Sequence, residues 1–93
     1  MKVVRMKSNP NMIIFTNHDR IDEEKLFRQV KSLLDQNSSV SWGRATDGPS
    51  EDLLEGKIDG LSFTLIYDLN YGPEIYSDSE DAIRQLQEYL NGV

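Results

Sequence analysis

Residues 54–67, LEGKIDGLSFTLIY, decide the fold of this protein. Apolar residues and one glycine alternate with mostly polar residues on both sides of Asp59 and Gly60, and this alternation is typical of β-strands. Asp-Gly is favoured in two-residue type I′ turns because both positions need a positive φ angle. The stretch therefore predicts a β-hairpin with a fixed register. Three pairs of residues then face each other: Ile58 and Leu61, Gly56 and Phe63, and Leu54 and Leu65.

Three further strands are predicted around this hairpin. The apolar run Met12-Ile13-Ile14-Phe15 predicts a buried strand over residues 11–16. Alternation over residues 40–45 predicts a second strand, in which Val40 and Trp42 share a face. A turn-rich segment follows the hairpin, so residues 74–77 are expected to return as a short strand.

Two segments have the apolar spacing of amphipathic helices. Leu26, Val30, Leu33 and Leu34 predict a helix over roughly residues 20–36, capped by Asp19 or Asp22. The sequence Ser77-Asp78-Ser79-Glu80 matches a capping box with Ser77 as the N-cap, and an apolar stripe follows it. This pattern predicts a second helix over about residues 78–91.

These elements predict the order β-α-β-β-β-β-α and the α+β class. The expected architecture is a two-layer sandwich, in which a mostly antiparallel sheet of about four to five strands is covered on one face by two helices. Only that face of the sheet is expected to need covering. Residues 11–93 are expected to form a single α+β domain, and residues 1–10 either a flexible arm or a short edge strand.

The composition excludes several classes of protein. The chain has 93 residues, 38% hydrophobic residues and no cysteine, which argues against a disulfide-stapled scaffold and a cysteine metal site. No apolar run is long enough for a secretory signal or a membrane span, so we expect a cytoplasmic protein with no membrane partner. The formal net charge of −6 argues against nucleic-acid binding.

The acidic residues are concentrated in the second half of the sequence. Residues 1–46 contain eight basic and five acidic side chains, whereas residues 47–93 contain two basic and eleven acidic ones. Such a charge distribution repels phosphates and speeds encounter with a basic partner. The alternative interpretation is a solvated acidic surface that keeps a small protein soluble.

No motif in the sequence specifies an enzyme, a cofactor or a metal. His18, beside Asp19, is the only histidine, and no recognisable triad signature accompanies it. Residues 68–72 begin like a calcium loop, but the required glycine position is Pro73 and the glutamate position is Ser79. Paired carboxylates occur at helix starts and in loops, where capping and solvation explain them. We therefore expect no enzymatic activity, no cofactor and no metal.

Acidic and aromatic side chains instead suggest a protein-binding role. Tyrosine is enriched at interface hot spots, and acidic residues orient a basic partner. The leading hypothesis is a non-catalytic, immunity- or antitoxin-like inhibitor that blocks a basic bacterial toxin such as a nuclease. The residues expected to bind the partner are Asp47, Glu51, Asp52, Glu55, Asp68, Tyr71 and Glu74.

Two alternatives remain open from the sequence. One is an accessory interaction domain. In its homodimeric form, two copies would extend the sheet through an exposed edge strand at residues 40–45 or 74–77. The other is a small ligand-binding protein or enzyme that uses His18 and Tyr71.

Overall fold

Six β-strands and two α-helices make up the described part of this protein. The structure is a computed structural model that describes residues 1–16, 22–68 and 72–93. The elements in chain order are β1 (Val3–Met6), β2 (Asn9–Phe15), α1 (Glu23–Asp35), β3 (Val40–Asp47), β4 (Glu51–Ile58), β5 (Leu61–Asp68), β6 (Gly72–Tyr76) and α2 (Glu80–Gly92).

The strands form one sheet in the order β1-β2-β6-β5-β4-β3, and every neighbouring pair is antiparallel. The α+β class and the antiparallel sheet are confirmed, but the sheet has six strands rather than four to five. Residues 3–6 supply one of them, because their backbone groups pair with β2. The prediction that residues 74–77 lie at an edge is wrong, since β6 lies between β2 and β5. Residues 40–45 do belong to an edge strand.

The β4–β5 hairpin has the predicted register. Ile58 pairs with Leu61, Gly56 with Phe63 and Leu54 with Leu65. The turn residues have the positive φ angles of a type I′ turn, 49° at Asp59 and 79° at Gly60. Local turn chemistry therefore fixes which side chains of this hairpin share a face.

Both helices begin at capping side chains. The Asp22 carboxylate accepts hydrogen bonds from the Glu24 and Lys25 amides at the start of α1. The N-cap of α2 is Ser79, so the prediction of Ser77 as the cap is wrong by two residues. The Ser77 hydroxyl is buried and donates to the Ser62 carbonyl at 2.6 Å, which engages it with β5. Neither of these two helices is long and apolar enough to cross a lipid bilayer.

One apolar core lies between the sheet and the two helices. The cross-strand row of Ile13, Ile75 and Leu65 is fully buried. It belongs to the same core as Leu34 from α1 and Leu86 from α2. Both described helices therefore cover the same face of the sheet, and neither of them covers the opposite face.

The β1 edge of the sheet is bonded to a side chain from α2. The Val3 amide donates to Asn91 Oδ1 at 2.7 Å, and Asn91 Nδ2 donates to the Val3 carbonyl at 3.2 Å. These backbone groups point away from β2, so the Asn91 amide takes the place of a seventh strand at this point.

Replacing Asn91 by alanine is expected to loosen this edge. Two hydrogen bonds are lost, which predicts a decrease of about 1 kcal/mol in the free energy of unfolding. Amide hydrogen exchange in residues 3–6 should accelerate more than exchange in β5. Glu88→Ala, an exposed change on the same helix, is the control, and unchanged exchange in residues 3–6 of Asn91→Ala would contradict the assignment.

Candidate functional site

The sheet face that points away from the helices, called the open face below, carries a band of apolar side chains. Pairing across the sheet places Val4 opposite Ile14, and Ile66 opposite Leu53, with their side chains on this face. These residues are half-buried, since neighbours on the sheet shield them from the sides. The apolar band consists of Val4, Met12, Ile14, Leu53 and Ile66. The structure is consistent with the expected two layers, in which both helices lie on one face, and it places half-buried apolar side chains on the other face as well.

Glu74 lies at the centre of this band. It is on β6, directly between Ile14 of β2 and Ile66 of β5, and only 9% of its surface is exposed. No hydrogen-bond or ion-pair partner of its carboxylate occurs within residues 1–16, 22–68 and 72–93. Burial, and then the charges of Asp68 and Glu51, raise the pKa of Glu74 above its ordinary value.

Glu74, Asp68 and Glu51 form a diagonal row of carboxylates across β6, β5 and β4. Asp68 pairs directly with Glu51, and it lies two residues beyond Ile66, the partner of Glu74. Directly opposite residues have Cβ atoms about 5 Å apart and diagonal neighbours about 7 Å apart. This carboxylate row concentrates negative charge at one end of the open face, beside the apolar band.

A cavity of about 610 Å³ lies towards the other end of the open face. Tyr76, two residues after Glu74 on β6, contributes to its lining and pairs with Thr64 of β5. The Tyr76 hydroxyl donates a hydrogen bond to Asp78, which raises the pKa of Tyr76. The cavity gives the open face a concave region beside the apolar band. Its polar lining includes Ser41, Glu55, Lys57, Thr64 and Asp78.

The structure divides the predicted partner-binding residues between two places. Glu51, Glu55, Asp68 and Glu74 share the open face. Asp47 and Asp52 pair with each other, and Asp52 also pairs with Tyr67 of the helix-covered face. Tyr71 and the alternative residue His18 lie outside the described residues.

Asp52 belongs to a second acidic region, near the start of α1. Tyr67 packs edge to face on Phe27, with ring centroids 5.2 Å apart. Burial, and then the charges of Glu24, Asp22, Glu23 and Asp52, raise the pKa of the Tyr67 hydroxyl. Phe27 also packs against the core, so this region joins acidic side chains to the margin of the core.

Sequence reasoning missed the apolar band, although the sequence carries a signal for it. Two apolar residues occur in succession at Val3-Val4, Ile13-Ile14, Leu53-Leu54 and Leu65-Ile66. Successive strand residues point to opposite faces, so each pair supplies one side chain to each face. Four such pairs indicate a sheet that is apolar on both faces.

No group of three or more histidine, cysteine, aspartate or glutamate side chains in the described ranges is arranged to hold a metal ion. Comparison with known proteins gave no matching family model, no similar curated protein and no similar solved structure. The function is therefore argued from the geometry and the charge of the open face.

Proposed function

We propose that this protein is a non-catalytic, acidic binding domain that uses the open face to occupy a basic surface on another protein. In its specific form, the proposal is that of a cytoplasmic immunity- or antitoxin-like inhibitor that blocks a basic bacterial toxin such as a nuclease. The observation that carries the proposal is the carboxylate row beside an apolar band that neither of the two described helices covers.

The apolar band supports a docking role because apolar area on a sheet face is stabilised when another surface removes it from water. Each square ångström of apolar area removed contributes about 25 cal/mol. The half-buried residues of the band lie on β1, β2, β5 and β4, and Glu74 of β6 separates those of β2 from those of β5. A partner seated there contacts a hydrogen-bonded sheet, whose backbone needs little reordering on binding.

Charge supports a basic partner over other partners. Glu51, Glu55, Asp68 and Glu74 lie on the open face, and Lys57 is the basic residue on the same face of β4. An acidic or phosphate-rich surface would be repelled there, whereas a basic surface would be attracted during encounter and docking. The negative charge of this face thus favours a cationic protein as the partner.

The proposal is tested by parallel capture with two triple variants of equal net charge. The open-face variant carries Glu51→Gln, Glu55→Gln and Glu74→Gln. The control variant carries Asp47→Asn, Asp52→Asn and Glu88→Gln, which remove three charges from other parts of the surface. A basic protein from lysates of the source organism should be enriched on the wild type and on the control variant, and depleted on the open-face variant.

Calorimetry with the purified, captured protein then separates the effect of charge on the open face from the effect of net charge on the affinity. The dissociation constant should rise at least about tenfold for the open-face variant and much less for the control. Binding should also weaken as salt increases. A captured protein that loses affinity equally for both variants, or only for the control, would contradict the open-face proposal. The inhibitor form additionally requires stoichiometric loss of the captured protein's own activity.

A second candidate is the accessory or homodimeric interaction domain. It is favoured by the position of β3 at one edge of the sheet, whereas the β1 edge is bonded to Asn91. Such a dimer would extend the sheet through residues 40–45. Its mass in sedimentation equilibrium would rise with concentration, and it would do so equally for the wild type and the open-face variant.

A further inference from the structure

Glu74 is the buried member of the acidic residues on the open face, since Glu51 and Glu55 are exposed and Asp68 is half-buried. Its residue surface is 91% buried in the central strand β6, and its carboxylate has no hydrogen bond or ion pair with a described residue. Its oxygens still reach the surface of the open face, because no side-chain oxygen of the described residues is both fully buried and without a hydrogen bond. A carboxylate that is partly withdrawn from water remains unfavourable until an opposite charge or hydrogen-bond donors compensate it. A donor supplied by a bound partner would provide that compensation.

We propose that Glu74 is the anchor for an arginine side chain of the basic partner. The guanidinium would bond to the Glu74 carboxylate, on the side of the carboxylate row, and its methylene groups would pack on Ile14 and Ile66. This inference rests on the proposed function and identifies the group of the partner that the open face recognises.

The surroundings of Glu74 match both the aliphatic stem and the charged guanidinium of an arginine side chain. Ile14 and Ile66 are its direct cross-strand neighbours, so an aliphatic stem finds apolar contact on both sides. Asp68 and Glu51 add negative charge on one side only, towards the end of β5 and the start of β4. The site is therefore apolar around the carboxylate and acidic at one margin.

Arginine fits this site better than lysine for two physical reasons. Its planar guanidinium presents several donors in a fixed fork, which can bond to one carboxylate while facing a second one nearby. The guanidinium is also more weakly hydrated than an ammonium group. It therefore loses less hydration free energy when it enters a surface that is partly apolar.

The inference is tested by NMR titration of the full chain with N-acetyl-arginine methylamide at constant ionic strength. The Glu74 side-chain carboxyl carbon should shift saturably below 100 mM probe, together with the amides of residues 14 and 66. The citrulline analogue has the same shape without the charge, and its binding should be at least tenfold weaker. Glu74→Gln should abolish the saturable shift, and Glu88→Gln should leave it unchanged.

Equal binding of the citrulline analogue, no saturation by 100 mM, or an unaltered titration of Glu74→Gln would overturn the inference. Its failure is distinguishable from failure of the proposed function. If the captured protein loses affinity for the triple open-face variant but binds Glu74→Gln as tightly as wild type, the open face binds a basic partner without a Glu74 anchor. If the captured protein binds Glu74→Gln at least tenfold more weakly, and an arginine-to-alanine change in it gives no further loss, the anchor is supported.

Discussion

Replacing Gly56 by alanine is expected to lower the free energy of unfolding by about 1–3 kcal/mol. A Cβ atom at this position would lie 2.8 Å from Phe63 Cζ and 2.9 Å from a ring carbon of Trp42. The two rings already pack edge to face, with centroids 5.7 Å apart, so neither can move without disturbing the other. Urea unfolding followed by Trp42 fluorescence and by circular dichroism would measure the loss.

Gly43→Ala is the matched control for this change, because its added Cβ would lie at ordinary contact distance, 3.7 Å from the nearest atom. The control should alter stability by less than about 0.5 kcal/mol. Adding Phe63→Leu to Gly56→Ala should cost less than the sum of the single changes, since the smaller side chain relieves the contact. Equal effects of the two glycine substitutions would show that the close approach at Gly56 is unimportant.

Replacing Glu74 by glutamine is expected to increase stability at pH 7 by about 1 kcal/mol, because it removes a charge that is partly withdrawn from water and lies beside two like charges. In the unfolded chain the carboxyl has a pKa of about 4.3. Burial and the neighbouring charges of Asp68 and Glu51 hold its folded pKa higher. The wild type therefore loses stability as the pH rises from the unfolded pKa through the folded pKa, and the loss is complete above that window.

The advantage of Glu74→Gln should consequently shrink as the pH falls, and it should vanish below about pH 4, where the carboxyl is neutral in both states. Denaturant unfolding of both proteins from pH 3.5 to 8 would measure this. Glu55→Gln, an exposed change on the same face, should alter stability by less than about 0.5 kcal/mol throughout. A Glu74→Gln variant that is less stable than wild type at pH 7 would contradict the argument.

These effects bear directly on the proposed function. The Glu74 carboxylate lowers the free energy of unfolding of the free protein. If it also anchors an arginine of the partner, it is stabilising only in the complex. Glu74→Gln should then make the free domain more stable and the complex weaker. A residue that only fills space on the open face would change both in the same direction.

The sequence by itself determined the local parts of this protein. Asp59-Gly60 fixed the β4–β5 register, because its positive φ angles select a two-residue turn. Apolar spacing located α1 and α2 to within a few residues. The charge pattern also singled out six acidic residues, and the fold brings four of them to one face: Glu51, Glu55, Asp68 and Glu74. These features depend on neighbours in the chain, which a sequence displays directly.

Only the tertiary structure decided the strand order and the environment of Glu74. The insertion of β6 between β2 and β5 is a long-range pairing, and no residue in its five-residue segment specifies both partners. The same pairing set Ile14 and Ile66 on either side of Glu74, and it drew the Ser77 hydroxyl to the Ser62 carbonyl, so that α2 is capped by Ser79. Burial of a side chain is a property of its spatial neighbours, and these are fixed when distant strands come together.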